Sequence, residues 1–454
     1  MSWPSTPPSG IESVVLDRII YCLRDDLTTL RQFSLVCSAW LRPTSVHLFR
    51  RIRWPKCEHY HRPAHDESCV HLTKCRCSPE PIVFAQLVDD LGKCPRVCLY
   101  TQELLLSGQR RLSLPTWNGT REVTKDVDTM FFEVFTQIMA LLPALSVLRL
   151  VDCRFKSPSS SKFFEYISVI DLKELVFTTT FAPENNCGQN NGDIRDFLKY
   201  FGRIDRLIFD RRDSNTFQPL PSITSPSARC PVVSTLEYRC HPTAPPTTSV
   251  HVTAIRSNIV LSKLTTLVLD AVPETFGHSL DALLRDALNL ASLTYNLRGS
   301  FVPTIPPTLR LRRLNVEGII ADWPHDDIHD DDTADWELAM RLLRLTSRPS
   351  LESISLSVLH RHWPRLVPNR HNSYPGHRIR VPSCLRQIDW TIMNEICTLC
   401  KGLRQVTIFI ETQNTTGDGQ CQLFSKSPSR ITATELLEDQ ISESIMSMFK
   451  LVVT

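Results

Sequence analysis

A short apolar pattern recurs through most of this 454-residue chain and constrains its fold more than any other feature. In each copy an apolar residue is followed by two variable residues, a second apolar residue, one variable residue and a third apolar residue. Copies begin at Leu145, Leu172, Ile204, Val233, Leu264, Leu290, Leu311, Leu351, Leu385 and Leu403, and a weaker one begins at Thr101. Because apolar residues that alternate favour a short β-strand, each copy is predicted to form one strand.

The intervals between the copies contain stretches with helical spacing. These stretches are residues 130–142, 161–170, 193–201, 278–290, 335–346 and 393–401. One strand and one helix per repeat predict an α/β solenoid over residues 81–431, in which each repeat buries its apolar face against its neighbours. We expect the strands to form one curved parallel sheet, with Leu267, Leu293 and Leu314 buried on the side that faces the helices.

A doubly wound α/β domain also alternates strands and helices, so it is the competing fold. No GxGxxG or GxxxxGK[ST] loop follows any of the strands, and the chain contains only 14 glycines, which argues against phosphate binding by a glycine-rich backbone. The segment GHSLD is similar to a hydrolase nucleophile elbow, but Asp281 stands where that turn needs glycine. Ser279 is therefore predicted to lie at a helix N-terminus, and the chain is predicted to be a binding protein, not an enzyme.

Residues 11–50 carry two apolar stripes with helical spacing, ahead of a proline suited to the first turn of a third helix. The stripes are Leu16, Ile19, Ile20 and Leu23, then Leu30, Phe33, Cys37 and Trp40; the proline is Pro43. Thr28 is predicted to cap the second helix, and Trp40 to be the largest buried side chain. Three helices in about 40 residues cannot bury all their apolar surface, so some of it should face a partner.

This segment resembles an F-box of the form abundant in mushroom-forming fungi. The resemblance rests on DRII at residues 17–20, SLVCSAW at residues 34–40 and HLFRRI at residues 47–52. It implies docking onto the Skp-type adaptor of a cullin-RING ubiquitin ligase, while the rest of the chain selects an unknown substrate protein. The adaptor-binding residues it suggests are Leu16, Ile19, Ile20, Leu23, Leu35 and Trp40.

The repeats look like the irregular leucine-rich repeats that follow fungal F-boxes. The expected fold is therefore α/β, with an N-terminal three-helix F-box over residues 11–54 followed by an irregular leucine-rich-repeat-like solenoid with a parallel sheet. Two alternatives stay open: a repeat scaffold with no ubiquitin role, in which residues 11–50 only cap the solenoid, and a zinc-stabilised binding module.

Residues 55–80 form an insertion rich in cysteine and histidine. The candidate metal ligands within it are Cys57, His59, Cys69, His71, Cys75 and Cys77. Zinc prefers four such ligands, but their spacing matches none of the common zinc-binding templates. The segment is either a structural zinc site or a surface insertion, and no other cofactor is expected.

Two charged insertions and the C-terminal tail complete the sequence. Residues 325–335 are acidic, and residues 361–380 are basic through Arg361, Arg365, Arg370, Arg378 and Arg380. Both follow strands, so the two insertions are either solvated loops or partners of each other, or the basic one binds an acidic or phosphorylated segment. Residues 432–454 are predicted to form a helix that caps the last repeat.

The overall composition argues against several classes of partner. The net charge is +3, so no general attraction to nucleic acid or to an anionic membrane is expected. The first ten residues, predicted to be disordered, lack the features of a secretory signal, and no run approaches the ~18 apolar residues of a membrane span. The protein is expected in the cytoplasm, the nucleus or both, where its 16 cysteines would remain thiols.

Overall fold

The chain divides into two compact units, Met1–Pro231 and Val232–Thr454, which are described separately. The computed structural model describes residues 10–36, 38–54, 84–107, 129–151, 153–156, 169–178, 197–211, 230–240, 256, 258–270, 277–297, 301–321, 334–360, 388–412 and 448–453.

The first unit begins with three short helices. They are α1 (Gly10–Cys22), α2 (Leu27–Val36) and α3 (Ser38–Leu48), and α3 packs against both α1 and α2. The Asp26 carboxylate caps α2, because it accepts hydrogen bonds from the Thr29 backbone N–H at 3.0 Å and from the Thr29 hydroxyl at 2.6 Å. The predicted cap at Thr28 was wrong, since α2 already begins at Leu27.

A parallel sheet follows directly after the helices. After the three helices, the elements of the first unit are β1 (Arg51–Trp54), α4 (Phe84–Lys93), α5 (Pro95–Tyr100), β2 (Glu103–Ser107), β3 (Thr129–Phe131), α6 (Phe132–Leu141), β4 (Val147–Val151), β5 (Arg154–Lys156), β6 (Ile170–Thr178) and β7 (Phe201–Arg211). Strands β1, β2, β4, β6 and β7 pair in that order, and every pair is parallel. Strands β3 and β5 form a separate parallel pair.

The second unit repeats this plan. It contains β8 (Val232–Cys240), β9 (Thr266–Asp270), α7 (Gly277–Asp286), β10 (Ser292–Asn296), β11 (Arg313–Ala321), α8 (Ala334–Thr346), β12 (Ser353–His360), α9 (Trp390–Leu399), β13 (Gln405–Thr412) and β14 (Phe449–Val453). All pairs are parallel, and each strand pairs with the next along the chain. A bulge interrupts β11 after Val316, where Gly318 adopts a φ of 73°.

The strand order within each unit argues against the doubly wound alternative. A doubly wound sheet reverses its order at a switch point, whereas the described strands of each unit follow the chain without reversal. The predicted mixed α/β class and the parallel sheet are confirmed, and the sheets of the described residues are open, not closed.

The recurrent apolar pattern forms the core. Its second apolar residues lie opposite one another on neighbouring strands; in the second unit they are Leu236, Leu267, Leu293, Leu314, Ile354 and Val406. The predicted burial of Leu267, Leu293 and Leu314 is confirmed, because each has no exposed surface. In the first unit the same position is occupied by Leu104, Leu148, Leu175 and Leu207, which are equally buried.

Several repeats are also linked to the next through one carbonyl at the start of the strand. The Arg50 carbonyl accepts the backbone N–H groups of Gln102 at 2.8 Å and Glu103 at 2.9 Å. The carbonyls of Gln102, Ser146, Thr265, Ala291 and Arg312 each accept two N–H groups from the next strand in the same way. The register identifies Phe49, Ile52 and Trp54 as a further copy of the pattern, one that the sequence analysis missed.

Three predicted boundaries need correction. Residues 51–54 form β1, so the segment 11–54 is not helical to its end. The copy at Leu385 forms no described strand: Trp390 begins α9, and Asp389 caps that helix by accepting N–H groups from Thr391 and Ile392. Residues 449–453 form β14, so the predicted capping helix does not reach residue 454; residues 432–447 lie outside the described residues.

Candidate functional site

The three N-terminal helices expose an unusual amount of apolar surface. Of the sixteen large apolar side chains that are exposed in the described residues, eight lie between residues 14 and 41. They are Val14, Val15, Ile19, Tyr21, Leu27, Leu35, Val36 and Leu41, and together they are called the apolar helical surface. Single exposed apolar residues are common on any protein, but a concentration of them on one small element indicates a contact with a partner.

A small interior holds these helices together. Ile20 of α1 and Leu30 of α2 have no exposed surface, and the Thr44 hydroxyl donates to the Trp40 carbonyl at 2.6 Å. The rings of Phe33 and Trp40 meet edge to face, with centroids 4.6 Å apart. Trp40 is only half-buried, however, so the prediction that it would be the largest buried side chain was wrong.

The six predicted adaptor-binding residues divide into three groups. Ile20 is interior; Leu16, Leu23 and Trp40 are half-buried; Ile19 and Leu35 are exposed. Leu35 is the extreme case, with 85% of its surface exposed. Sequence reasoning missed Val14, Val15, Val36 and Leu41, because they lie outside the stripes that define the helical spacing.

The exposed face of the first unit's sheet carries paired charges. Glu103 contacts Arg51 at 2.6 Å and Arg50 at 3.1 Å, while Glu174 contacts Arg149 at 2.8 Å and Arg206 at 3.1 Å. Burial opposes ionisation of Glu103, but the Arg51 hydrogen bond and the charges of Arg51, Arg50 and Arg149 lower its pKa. These ion pairs join neighbouring strands.

On the corresponding face of the second unit, β8 carries the Glu237–Arg239 ion pair at 2.8 Å and β11 carries Arg313 and Glu317, but three other strands are largely uncharged. On β10, β12 and β13 most side chains that alternate with the core residues carry a hydroxyl or an amide: Ser292, Thr294, Asn296, Ser353, Ser355, Ser357, Gln405 and Thr407. Asn315 of β11 donates to Thr294 at 3.1 Å, and Gln405 donates to Thr407 at 2.9 Å. On this hydroxyl-and-amide face Gln405 is exposed and the four serines are half-buried, whereas Thr294, Asn296 and Thr407 are buried.

The other predicted site residues lie outside the described residues. This holds for the six candidate metal ligands of residues 55–80 and for the five arginines of residues 361–380, so the zinc site and the basic partner-binding loop stay predictions. Within the described ranges, no group of three cysteine, histidine or acidic side chains is placed to hold a metal ion.

Two groups have a sequence context or chemistry that could suggest catalysis. Ser279 lies in the first turn of α7, as predicted from its sequence context. The pair Cys397 and Cys400 is buried near the end of α9, and burial raises the pKa of the Cys397 thiol to about 11. A thiol with a raised pKa is a poor nucleophile, because little of it is ionised.

In the part of the chain that the structure describes, no helix combines the length and the apolar character needed to cross a bilayer. Comparison with protein-family models gives no match, and comparison with curated proteins gives none either. The resemblance of residues 17–52 to an F-box therefore rests on the residues themselves.

Proposed function

We propose that the chain is a substrate-recruiting subunit of a cullin-RING ubiquitin ligase, which docks onto a Skp-type adaptor through the apolar helical surface. The observation that carries the proposal is the concentration of exposed apolar side chains on α1–α3, next to motifs that resemble an F-box. An isolated helical cap would need those side chains only where they meet the first strand. Exposed residues such as Leu35 and Val36 have no such role in the described structure.

The energetics favour a stable contact on this surface. Burying an exposed leucine or valine in an interface contributes about 1.5–3 kcal/mol, so a few anchors of the size of Leu35 supply much of the affinity. Ile20 and Leu30 already hold the helices together, so the exposed set is available for a partner without unfolding the segment.

The sheet provides the surface for the substrate. Its strands carry outward side chains at fixed spacing, and the accessible serines and Gln405 of the hydroxyl-and-amide face offer both donors and acceptors. Such a face suits an uncharged polar segment of another protein better than a nucleic acid or an anionic lipid, because its described side chains include no concentration of basic residues. The protein that binds there is the target to be ubiquitinated.

Co-purification with a Skp-type adaptor tests the docking proposal. We expect wild-type protein to bind, and Leu35→Ser to weaken binding by about tenfold or more, because an apolar anchor is lost. The matched control is Leu99→Ser on α5, since Leu99 is also well exposed, at 60%, but lies outside the apolar helical surface. Circular dichroism of both variants checks that neither change unfolds the protein.

Two results would contradict the proposal. The first is absence of adaptor binding by wild-type protein under conditions in which a known F-box protein binds, which would favour a scaffold without a ubiquitin role. The second is equal loss of binding in Leu35→Ser and Leu99→Ser, which would place the contact elsewhere.

A further inference from the structure

A cleft of about 660 Å³ lies beside the first strand, within the first unit. It is bounded by the α1–α2 connection, the end of α3, β1 and the helices α4 and α5. Its basic side chains are Arg24, Arg31, Arg50, Arg51 and Arg53, and its apolar wall includes Leu27, Leu48, Ile52, Trp54, Leu87 and Leu91. A cleft of this volume is within the range of sites that bind small organic molecules.

The charges around this cleft are only partly compensated. Glu103 neutralises part of the charge of Arg50 and Arg51, with contacts of 3.1 Å and 2.6 Å. The two lining acids are already engaged, since Asp25 contacts Arg24 at 3.4 Å and Asp90 contacts Lys93 at 3.7 Å. Within the described residues, neither Arg31 nor Arg53 forms an ion pair, so two guanidinium groups remain for an external anion.

The polar atoms of the wall also require acceptors. Nε of Arg50 and Nε1 of Trp54 are buried without a hydrogen-bond partner in the described structure, and both groups can only donate. Nδ1 of His47 is likewise buried and unpartnered. Burial lowers the pKa of His47, and the charges of Arg50 and Arg24 lower it further.

We propose that this cleft binds a small organic anion, in which a phosphate or carboxylate group contacts the arginines and an apolar body lies against Trp54 and the leucines. The positive charge and the unpartnered donors select the oxyanion, because its oxygens accept hydrogen bonds and carry the opposite charge. The apolar wall selects an organic body over an inorganic ion. This site overlaps the apolar helical surface only at Leu27 and does not depend on adaptor docking.

Isothermal titration calorimetry on the full chain tests the site, with naphthyl phosphate and naphthoate as probes for the two oxyanions. Naphthol tests whether charge is needed, and inorganic phosphate tests whether the apolar body is needed. We expect one or both organic anions to bind, with inorganic phosphate and naphthol each weaker by about tenfold or more. The stronger of the two anionic probes identifies whether the site prefers phosphate or carboxylate.

Variants then locate the bound anion. The double change Arg31→Gln with Arg53→Gln should weaken binding by about ten- to a hundredfold, through the loss of charge-assisted hydrogen bonds. The control is Arg96→Gln with Arg341→Gln, which removes the same charge from two exposed arginines outside the cleft and should change affinity less than twofold. Thermal unfolding monitors the fold of both double variants.

Three outcomes would overturn the proposal. They are no binding of either organic anion to wild-type protein, equal binding of naphthol and the anions, and equal effects of the two double variants. The first would leave a cleft filled only by water, the second would make it a non-selective apolar pocket, and the third would place the anion elsewhere on the surface.

Discussion

Leu267 provides the sharpest test of the repeat core. It lies on β9 between Leu236 and Leu293, in register with both, and none of its surface is exposed. Leu267→Ala removes three buried carbons, and at about 0.8 kcal/mol for each of them the lost transfer free energy is about 2.4 kcal/mol. The neighbouring strands are fixed by backbone hydrogen bonds and can only partly fill the space, so the total cost should be about 3–5 kcal/mol.

The measurement combines urea unfolding of the full chain with hydrogen exchange. Because the chain contains two compact units, a single unfolding transition is not assured, and hydrogen exchange on β8–β11 reports the local effect. The control is Val268→Ala, since Val268 is the next residue on the same strand and is only half-buried on the opposite face. A cost below about 1 kcal/mol for Leu267→Ala, or equal costs for both variants, would refute the assignment of this position to the core.

Three further predictions concern charge, reactivity and packing. Glu103→Gln should lower the free energy of unfolding by about 1–3 kcal/mol at neutral pH, because the arginines around it lose their counter-ion. Since folding lowers the pKa of Glu103, this difference should be present above the ordinary carboxyl pKa and should vanish as the pH falls through the lowered value. Urea unfolding at a series of acid pH values measures it. Iodoacetamide at mildly alkaline pH should modify exposed Cys94 well before Cys397, whose pKa is about 11, and peptide mass spectrometry measures the two rates. Gly402→Ala should lower the melting temperature, because a Cβ there would lie 2.7 Å from the Pro349 carbonyl oxygen, whereas Gly92→Ala, with open space around it, should not.

The strands were predictable because their signal is local. Leu264, Leu267 and Leu269 are all buried in one repeat, and the same spacing identified most of the other strands. The pattern failed where a stronger local signal competed with it: Asp389 caps a helix that begins at Trp390, inside the predicted copy at Leu385. The copy at Phe49 was missed because arginines fill its variable positions and hide the apolar spacing.

The candidate sites were less predictable, because exposure depends on what covers each face. Helical spacing placed Ile19 and Ile20 on one stripe, yet Ile20 is interior and Ile19 is exposed. The helical spacing of α1 does not indicate which side of its apolar stripe α3 will cover. The basic cleft was beyond sequence reasoning altogether, since it joins Arg24 and Arg53 to α4, and these segments meet only after β1 takes its place in the sheet.

The short connection between α3 and β1 has a mechanical consequence. Only two residues, Phe49 and Arg50, separate the helix from the strand, and two backbone N–H groups donate to the Arg50 carbonyl. The Thr101 hydroxyl lies 3.2 Å from the Phe49 carbonyl but is closer, at 2.8 Å, to the carbonyl of Val97. A polar tether would let a protein bound to the helices explore a wide volume. The short connection is instead rigid, so a protein docked on the helices would keep one distance from the first strands and one orientation to them. Inserting glycines at Arg50 would make the connection flexible. Any process that depends on the distance or orientation between the helices and the first strands should then become less selective.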